Sequence, residues 1–346
     1  MNAAFMVERG DRMRLTLSGE KAKEALGGLV TNDVIKLRAG TGHRAAALTP
    51  KGRVIALCRV FDRGSDLLVD CDAAAGDGFI AMIRKFVNPR LAKYVVISEA
   101  TDCLGVHGSD ASAILARALG DATLVAADAA ETVTDTGTDD RASPLAARLD
   151  ALGAFEGFAV GDAEMPCYVL RSVELSVAGF EVIGARTSVA ALRAALVAAG
   201  TRSASPVEIK VLRVEAGLPE WGAEMDIETI PQEAGLDVLG AISFNKGCYT
   251  GQEIVARIHF RGHVNRLLRL LTSATPLAEG ARVIDLAGTD VGEVRTSVVS
   301  STGGALAIAM LRREVELGSD VIIRAESGET RARVAPLAVP SLAITT

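Results

Sequence analysis

Short runs of apolar residues, separated by turn residues, fill the first hundred positions of the chain. Runs such as MRLTLSG and DLLVDC are rich in branched apolar side chains and are bounded by glycine, aspartate or serine, which is typical of β-strands. The run GDGFIAMIRKFV that follows has apolar residues at helical spacing. Hairpin-like strands alternate here with one or two helices, so the pattern predicts an α+β fold with antiparallel sheets.

The pattern changes in residues 263–346. Six short strand-like runs follow one another there at regular intervals, separated by Gly, Pro, Asp or Ser. Such spacing is typical of a small antiparallel barrel or sandwich. We therefore expect a separate C-terminal domain that begins near residue 263.

Residues 120–164 interrupt the regular pattern. They are rich in Ala, Asp, Thr and Gly, with DTGTDD as their polar centre, and we predict a variable acidic surface region or linker. Further along, SPVEIKVLRVEAG predicts a helix with Pro206 in its first turn, which is the position that proline tolerates best.

Composition and charge narrow the function classes. The chain has 346 residues, of which 49% are hydrophobic and 23% charged, as in an ordinary globular protein of two or three domains. A formal net charge of -6 argues against whole-chain binding to nucleic acid or to an anionic membrane. The N-terminus lacks the apolar core of a signal peptide, and no run approaches the roughly 18 apolar residues of a membrane span. We expect a cytoplasmic protein.

The cysteines predict reduced thiols. Five cysteines at irregular spacing do not suggest a disulfide framework. Four of them, Cys58, Cys71, Cys103 and Cys167, lie in apolar, strand-like surroundings and are expected to be buried. Cys248 differs, because it lies between two glycines in FNKGCYTGQE.

The surroundings of Cys248 allow several roles. Thr250 and Glu253 have the spacing of a capping box, which predicts a helix from about residue 251. The free amide groups of that helix and the nearby Lys246 would favour the thiolate. The residues alone leave open a nucleophile, a soft metal ligand, a redox-sensitive group and a small residue in a tight turn shaped by Gly247 and Gly251.

No metal or nucleotide motif stands out. His259 and His263 lack the glutamate of a zinc-protease helix, and Cys248 has no second cysteine at zinc-site spacing. Glycine patterns for ATP or dinucleotides are missing as well. The helix region carries a basic strip that suits either a polyanionic ligand tail, a phosphate backbone or solvent, namely Arg257, Arg261, Arg266 and Arg269.

Upstream, RVEAGLPEWG contains Glu215 at the end of the predicted helix. A carboxylate has two oxygens in one plane, which suits the paired N–H donors of a pterin or guanidine-like edge. The pattern fits an ordinary surface glutamate equally well.

Together these segments resemble a known family. IPQEAGLDVLGAISFNKGCYTGQEIVARIHFRG, with RVEAGLPEWG before it and TNDV and LTPKGRV near the N-terminus, is similar to the YgfZ group of folate-binding proteins. That group is related in fold to the aminomethyltransferase, or T-protein, of glycine cleavage. Its specific marker, K-G-C-[FY]-x-G-Q-E, is intact from Lys246 to Glu253. The resemblance extends from Arg14 to the final strands and is weak across 120–164.

The resemblance implies a three-domain, cloverleaf-like α+β fold that ends in a small antiparallel β-barrel. The implied domains are a folate-binding unit of residues 1–52 and 165–262, a second unit of 53–164 and the barrel of 263–346. Tetrahydrofolate or a derivative is expected in a central hole. Glu215 would bind the pterin, and the other residues implied to line the same cavity are Lys246, Cys248, Tyr249, Gln252, Glu253 and Arg257, with Cys248 as a functional thiol beside Lys246.

The implied function is that of a folate-dependent accessory protein for assembly or repair of iron-sulfur enzymes. Its implied partners are client enzymes such as a tRNA methylthiotransferase, with a weak contact to tRNA. True aminomethyltransferases carry an aspartate pair in G-G-I-I-D-D-L, where this chain has Ala56 and Leu57. A folate-dependent, aminomethyl-type one-carbon transferase is the alternative function, and the missing carboxylate argues against it.

Overall fold

A computed structural model describes residues 4–120, 124–125, 144–161, 166–300, 303–326 and 328–337. Most of the predicted acidic region thus lies outside the described residues. The helices are α1 Ala22–Gly27, α2 Ala73–Phe86, α3 Ala111–Leu119, α4 Pro144–Asp150, α5 Arg186–Ala198, α6 Pro206–Glu215 and α7 Gln252–Arg261. The strands are β1 Ala4–Glu8, β2 Arg12–Ser18, β3 Gly42–Leu48, β4 Val54–Asp62, β5 Leu67–Asp72, β6 Lys93–Val96, β7 Thr101–Gly108, β8 Leu124–Val125, β9 Gly157–Val160, β10 Cys167–Ser172, β11 Gly179–Ala185, β12 Arg202–Ser203, β13 Arg266–Ser273, β14 Arg282–Ile284, β15 Asp290–Val299, β16 Ala305–Arg312, β17 Asp320–Ala325 and β18 Gly328–Ala335.

The first sheet has the antiparallel order β3-β4-β5-β2-β6. Helix α2 packs on it through Phe79 and Ile83, which meet Leu15 of β2 in the core. The predicted domain boundary between residues 52 and 53 falls inside this sheet, between two strands that pair with each other. The domain division stays a prediction.

The second sheet has the order β12-β1-β7-β11-β10-β9-β8. Its strands are antiparallel except that β1 runs parallel to β12. Helices α3, α4 and α5 cover one face with Ile114, Leu149 and Leu192. The chain leaves this sheet after β1 to build the first sheet and returns at β7.

The third unit is a closed antiparallel barrel of six strands in the order β13-β16-β15-β14-β17-β18. Small side chains on β16, Ala307 and Ala309, lie in its core beside Leu311 and Val283, which is common in narrow barrels. Two sheets, helices and a terminal barrel confirm the predicted α+β fold class, including the barrel.

A shared hydrophobic core joins the barrel to the first sheet. Leu48 and Val54, on either side of the β3–β4 turn, pack in one cluster with Val214 of α6, Leu268 of β13 and Met310 of β16. Because these side chains are buried together, α6 is held between the two units. One end of the space between the sheets and the barrel is closed in this way.

The four cysteines expected to be buried are buried, and Cys248 is exposed, as predicted. Within the described residues, none of the helices combines the length and the apolar character that crossing a membrane requires.

His107 of β7 is fully buried and stacks on Phe5 with ring centroids 5.9 Å apart. Burial lowers the pKa of His107 to about 4, whereas an unfolded histidine has a pKa of about 6.5. The unfolded chain therefore takes up a proton below that pH before the folded chain does. This contribution to stability is complete above pH ~6.5 and is lost as the pH falls towards the folded pKa.

We expect the free energy of unfolding to fall by about 2 kcal/mol between about pH 6.5 and pH 5 because of His107. Most carboxylates remain ionised in that window. Urea unfolding at a series of pH values measures the slope. A His107→Gln variant cannot take up the proton and should lose this part of the slope, whatever its overall stability. An unchanged slope in that variant would contradict the assignment.

Candidate functional site

A cavity of about 770 Å³ lies between the first sheet, the edge of the second sheet, α6 and the barrel. We call it the central cavity. Its apolar walls come from Leu57 of β4, Leu175 and Ile209 of α6. Most of its other lining side chains are charged, namely Glu8, Arg9, Asp11, Arg12, Arg44, Arg59, Asp72, Glu174, Lys210, Arg213, Glu220, Glu279 and Arg295. A cavity of this size suits a small-molecule ligand.

Buried ion pairs form the floor of the central cavity. Arg59 of β4 pairs with Asp70 of β5 and, at 2.8 Å, with Glu181 of the second sheet. Arg12 of β2 donates a 2.9 Å hydrogen bond to Asp70. Burial alone would raise the pKa of Asp70, but the charges of Arg12 and Arg59 outweigh it and hold the pKa well below its usual range. We call these four residues the inter-sheet ion cluster.

Arg44 and Glu174 form a second buried pair in the wall, 2.7 Å apart. Burial opposes ionisation of Glu174, yet the positive charges of Arg44, Arg59 and Arg12 lower its pKa to about 2. Arg9 in turn lies 3.6 Å from Glu181. Each buried guanidinium of the wall therefore already has a carboxylate partner.

Two lining carboxylates behave differently. Burial raises the pKa of Asp72, although Arg12 lowers it, and burial also raises the pKa of Glu220. Asp72 accepts 3.0 Å and 3.2 Å hydrogen bonds from Arg12 and from the backbone N–H of Trp221. Glu220 lies 3.1 Å from Arg213. The two acids are the lining carboxylates whose charge the cavity stabilises least.

Glu215 ends α6, the helix predicted upstream of it. The helix starts at Pro206, after a capping box in which Ser205 and Glu208 bond each other's backbone N–H. The Glu215 carboxylate accepts hydrogen bonds from the hydroxyls of Ser176 at 3.3 Å and Ser300 at 2.8 Å. It is not among the residues that line the central cavity. Its pterin-binding role stays a prediction.

Residues 246–252 form what we call the signature loop. Lys246 Nζ donates hydrogen bonds to the backbone carbonyls of Gly27 and Val30 and lies 4.7 Å from the ring centroid of Tyr249. Burial lowers the pKa of Lys246 to about 8, although Asp33 and Cys248 oppose the shift. Tyr249 is only 8% exposed and packs in the shared core, and burial raises its pKa to about 12.

The predicted capping box at Thr250 and Glu253 is wrong. The N-cap of α7 is Gly251, whose φ of +82° is left-handed, and no side chain bonds the helix end. The backbone N–H of Thr250 donates to the Gly28 carbonyl instead. The predicted start of the helix is correct to one residue, since α7 begins at Gln252.

The signature loop meets two other segments that carry the resemblance. Thr31 Oγ1 donates a 2.6 Å hydrogen bond to the Ala241 carbonyl, and Asn32 donates one of 2.8 Å to the Gly240 carbonyl. A Cβ on Gly251 would lie 2.6 Å from the Thr49 carbonyl oxygen. TNDV, LTPKGRV and the loop therefore form one packed unit.

This unit is separate from the central cavity. The lining of the cavity includes none of Lys246, Cys248, Tyr249, Gln252, Glu253 and Arg257. Glu253 and Arg257 form an exposed ion pair on α7, 3.0 Å apart, and Cys248 is exposed on the loop. The structure brings the signature residues together but does not place them around the cavity, so their predicted ligand contacts stay predictions.

The predicted basic strip is partly neutralised. Besides the pair at Arg257, Arg266 pairs with Glu233 at 2.8 Å. Beside it, Phe244 stacks on the exposed His259 at 3.6 Å, and Phe260 is 67% exposed. Within the described ranges, no group of three or more His, Cys, Asp or Glu side chains could hold a metal ion.

Comparison with solved structures decides the fold family. The chain matches the glycine cleavage system aminomethyltransferase T from Bartonella henselae with a TM-score of 0.80 and 19% identity, over 97% of this chain and 86% of that one. Its sequence is 38% identical over 131 residues to the tRNA-modifying protein YgfZ of Escherichia coli strain SMS-3-5 / SECEC. The chain is similar to YgfZ and has the aminomethyltransferase fold. The recognition made from the signature is confirmed.

The YgfZ match has a limited extent. It covers 36% of this chain and 40% of that relative, and the YgfZ of strain UMN026 / ExPEC matches at 37% identity over the same length. No protein-family model matches the chain.

Within the aminomethyltransferase fold, Ala56 and Leu57 occupy neighbouring positions on β4. Ala56 is fully buried in the core of the first sheet, and Leu57 lines the central cavity. The position where the resemblance places a transferase aspartate thus presents an apolar side chain to the cavity.

Proposed function

We propose that this chain binds tetrahydrofolate or a one-carbon derivative in the central cavity and serves in the cytoplasm as an accessory protein for iron-sulfur enzymes. The observation that carries the proposal is a 770 Å³ cavity enclosed by all three units of an aminomethyltransferase fold. Its volume falls within the range of about 300 to 1,000 Å³ that is typical of small-molecule sites.

The residues present fit a folate. Leu57, Leu175 and Ile209 offer apolar surface to a flat ring, while Lys210 and Arg295 bring positive charge for the carboxylates of a glutamate tail. The Nε atom of Arg295 is buried and has no hydrogen-bond partner among the described residues. A bound carboxylate would satisfy such a donor.

An accessory role agrees better with this chain than aminomethyl transfer. Transfer chemistry needs a group that moves a proton at the reacting centre, and Leu57 cannot do so. The transferase therefore remains the second candidate, supported by fold likeness. Formation of methylene-tetrahydrofolate from an aminomethylated lipoyl carrier would decide in its favour.

The exposed Cys248 supports contact with a partner protein. The signature loop holds this thiol outside the central cavity and anchors it rigidly through Lys246 and Gly251. We propose that iron-sulfur clients, including a tRNA methylthiotransferase, meet the loop while folate occupies the cavity, and that any tRNA contact is weak. One thiolate cannot complete a four-cysteine cluster site by itself, so a cluster would need ligands from the client.

A Cys248→Ala variant should keep its fold and its folate affinity but lose the ability to restore iron-sulfur enzyme activity in cells that lack the protein. Because the side chain is exposed, its stability should change by less than about 0.5 kcal/mol. Titration with 5-formyltetrahydrofolate and assays of tRNA methylthiolation measure the two properties.

The matched control is Asn245→Ala, an exposed neighbour in the same loop that should restore activity fully. Full rescue by Cys248→Ala would exclude a role for the thiol. Absence of folate binding by the wild-type chain would exclude the folate part of the proposal.

A further inference from the structure

Asp72 and Glu220 face each other chemically across the central cavity. Both line it, and the backbone N–H of Trp221, the residue after Glu220, donates to Asp72. The charge of Asp72 contributes to the raised pKa of Glu220, so the two carboxylates lie within electrostatic reach. Two acids held this close repel each other until donors are placed between them.

The acceptor capacity of this pair is not used up by the protein. Among the described residues, Glu220 makes one side-chain contact, an ion pair between its Oε2 and Arg213. The buried arginines of the wall are committed to other carboxylates, Arg59 to Asp70 and Arg44 to Glu174. Ligand donors are therefore the groups that can neutralise the pair.

A second observation points to a ligand at the same wall. Arg12 is 6% exposed and lines the cavity, yet its Nε has no hydrogen-bond partner among the described residues. Its two terminal nitrogens bond Asp70 and Asp72. A buried donor without an acceptor is rare in folded proteins. This end of the cavity thus offers two acceptor carboxylates beside one unused donor.

We infer that Asp72 and Glu220 bind the N–H edge of a 2-amino-4-oxo pyrimidine ring, the ring end of a pterin, with Arg12 beside them to bond a ring acceptor. The amino group and the adjacent ring N–H donate in parallel, which matches the two oxygens of a carboxylate. The inference rests on the proposed folate function and assigns the ring to these residues rather than to Glu215, which two serine hydroxyls already bond.

The test uses the full chain and two probes, 5-formyltetrahydrofolate and p-aminobenzoylglutamate, which has the tail without the ring. Glu220→Gln should weaken binding of the folate by about tenfold to a hundredfold, the usual effect of losing a hydrogen bond to a charged group. Binding of the tail probe should stay unchanged. Glu293→Gln, a charge-matched variant on β15 outside the cavity lining, should bind both probes as the wild type does.

Glu220 is the better test position because Asp72 also holds Arg12, and thermal unfolding of each variant shows whether the fold is kept. Equal folate affinity of wild type and Glu220→Gln would overturn the inference and leave the folate proposal standing. So would a larger loss in Glu215→Gln than in Glu220→Gln. If the wild type binds 6-methyltetrahydropterin but no folate, and Glu220→Gln abolishes that binding, the ring site stands and the folate proposal fails.

Discussion

Replacing Asp70 by asparagine is expected to lower the free energy of unfolding by about 3 to 5 kcal/mol, the usual effect of breaking a buried ion pair from one side. Asp70 accepts hydrogen bonds from both Arg12 and Arg59, and all three side chains are buried. An asparagine would leave two buried guanidinium groups beside a neutral amide. Urea unfolding of both proteins at neutral pH measures the loss.

Asp66→Asn provides the control, because Asp66 pairs with Arg63 at 2.6 Å in a partly exposed turn. An exposed pair of this kind contributes about 0 to 1 kcal/mol. If Asp70→Asn were no more destabilising than Asp66→Asn, the inter-sheet ion cluster would not stabilise the fold.

The same pair has a pH signature. Since the pKa of folded Asp70 lies below its value of about 3.9 in the unfolded chain, its contribution is complete above that pH. It is lost as the pH falls through the folded pKa. Acid unfolding of Asp70→Asn should therefore lack this component.

Gly251→Ala is expected to destabilise the chain by about 2 to 4 kcal/mol, from left-handed backbone strain and overpacking together. The φ of Gly251 is +82°, and a Cβ there would lie 2.6 Å from the Thr49 carbonyl oxygen and 3.1 Å from Leu48 Cβ. Both neighbours belong to the β3–β4 region and cannot yield easily. The loop that carries Cys248 should shift, so rescue of iron-sulfur enzymes should fall as well.

Gly247→Ala is the control within the same loop, because a Cβ on Gly247 meets nothing within 4 Å. Thermal unfolding and the rescue assay compare the two variants directly. Equal behaviour of Gly247→Ala and Gly251→Ala would show that the close packing on Thr49 is unimportant.

The barrel and α6 were predictable because their signals are local. Regular turn spacing marks the strands after residue 263, and Ser205 with Pro206 marks a helix start. The burial of four cysteines followed from their apolar neighbours. The capping box failed because a positive φ at Gly251 depends on packing against Thr49, which is distant in the sequence.

The lining of the central cavity was not predicted, because its members come from segments that only the folded chain brings together. Asp72 ends β5 and Glu220 follows α6. A usable signal did exist. Arg59, Asp70 and Glu181 stand inside otherwise apolar strands, and a charge in such a position needs a partner of opposite sign from another strand.

The path of the chain through its two sheets has a consequence for folding. Strand β1 pairs only with β7 and β12, whereas β2, which begins at Arg12, belongs to the other sheet. The first sheet uses strands between residues 12 and 96 and can close early, but β1 must wait for partners that end at residue 203. Such distant pairing carries a large loop-closure entropy. We expect completion of the second sheet, and with it the floor of the cavity, to be the late step in folding, so a nascent chain acquires its ligand site only near the end of the process.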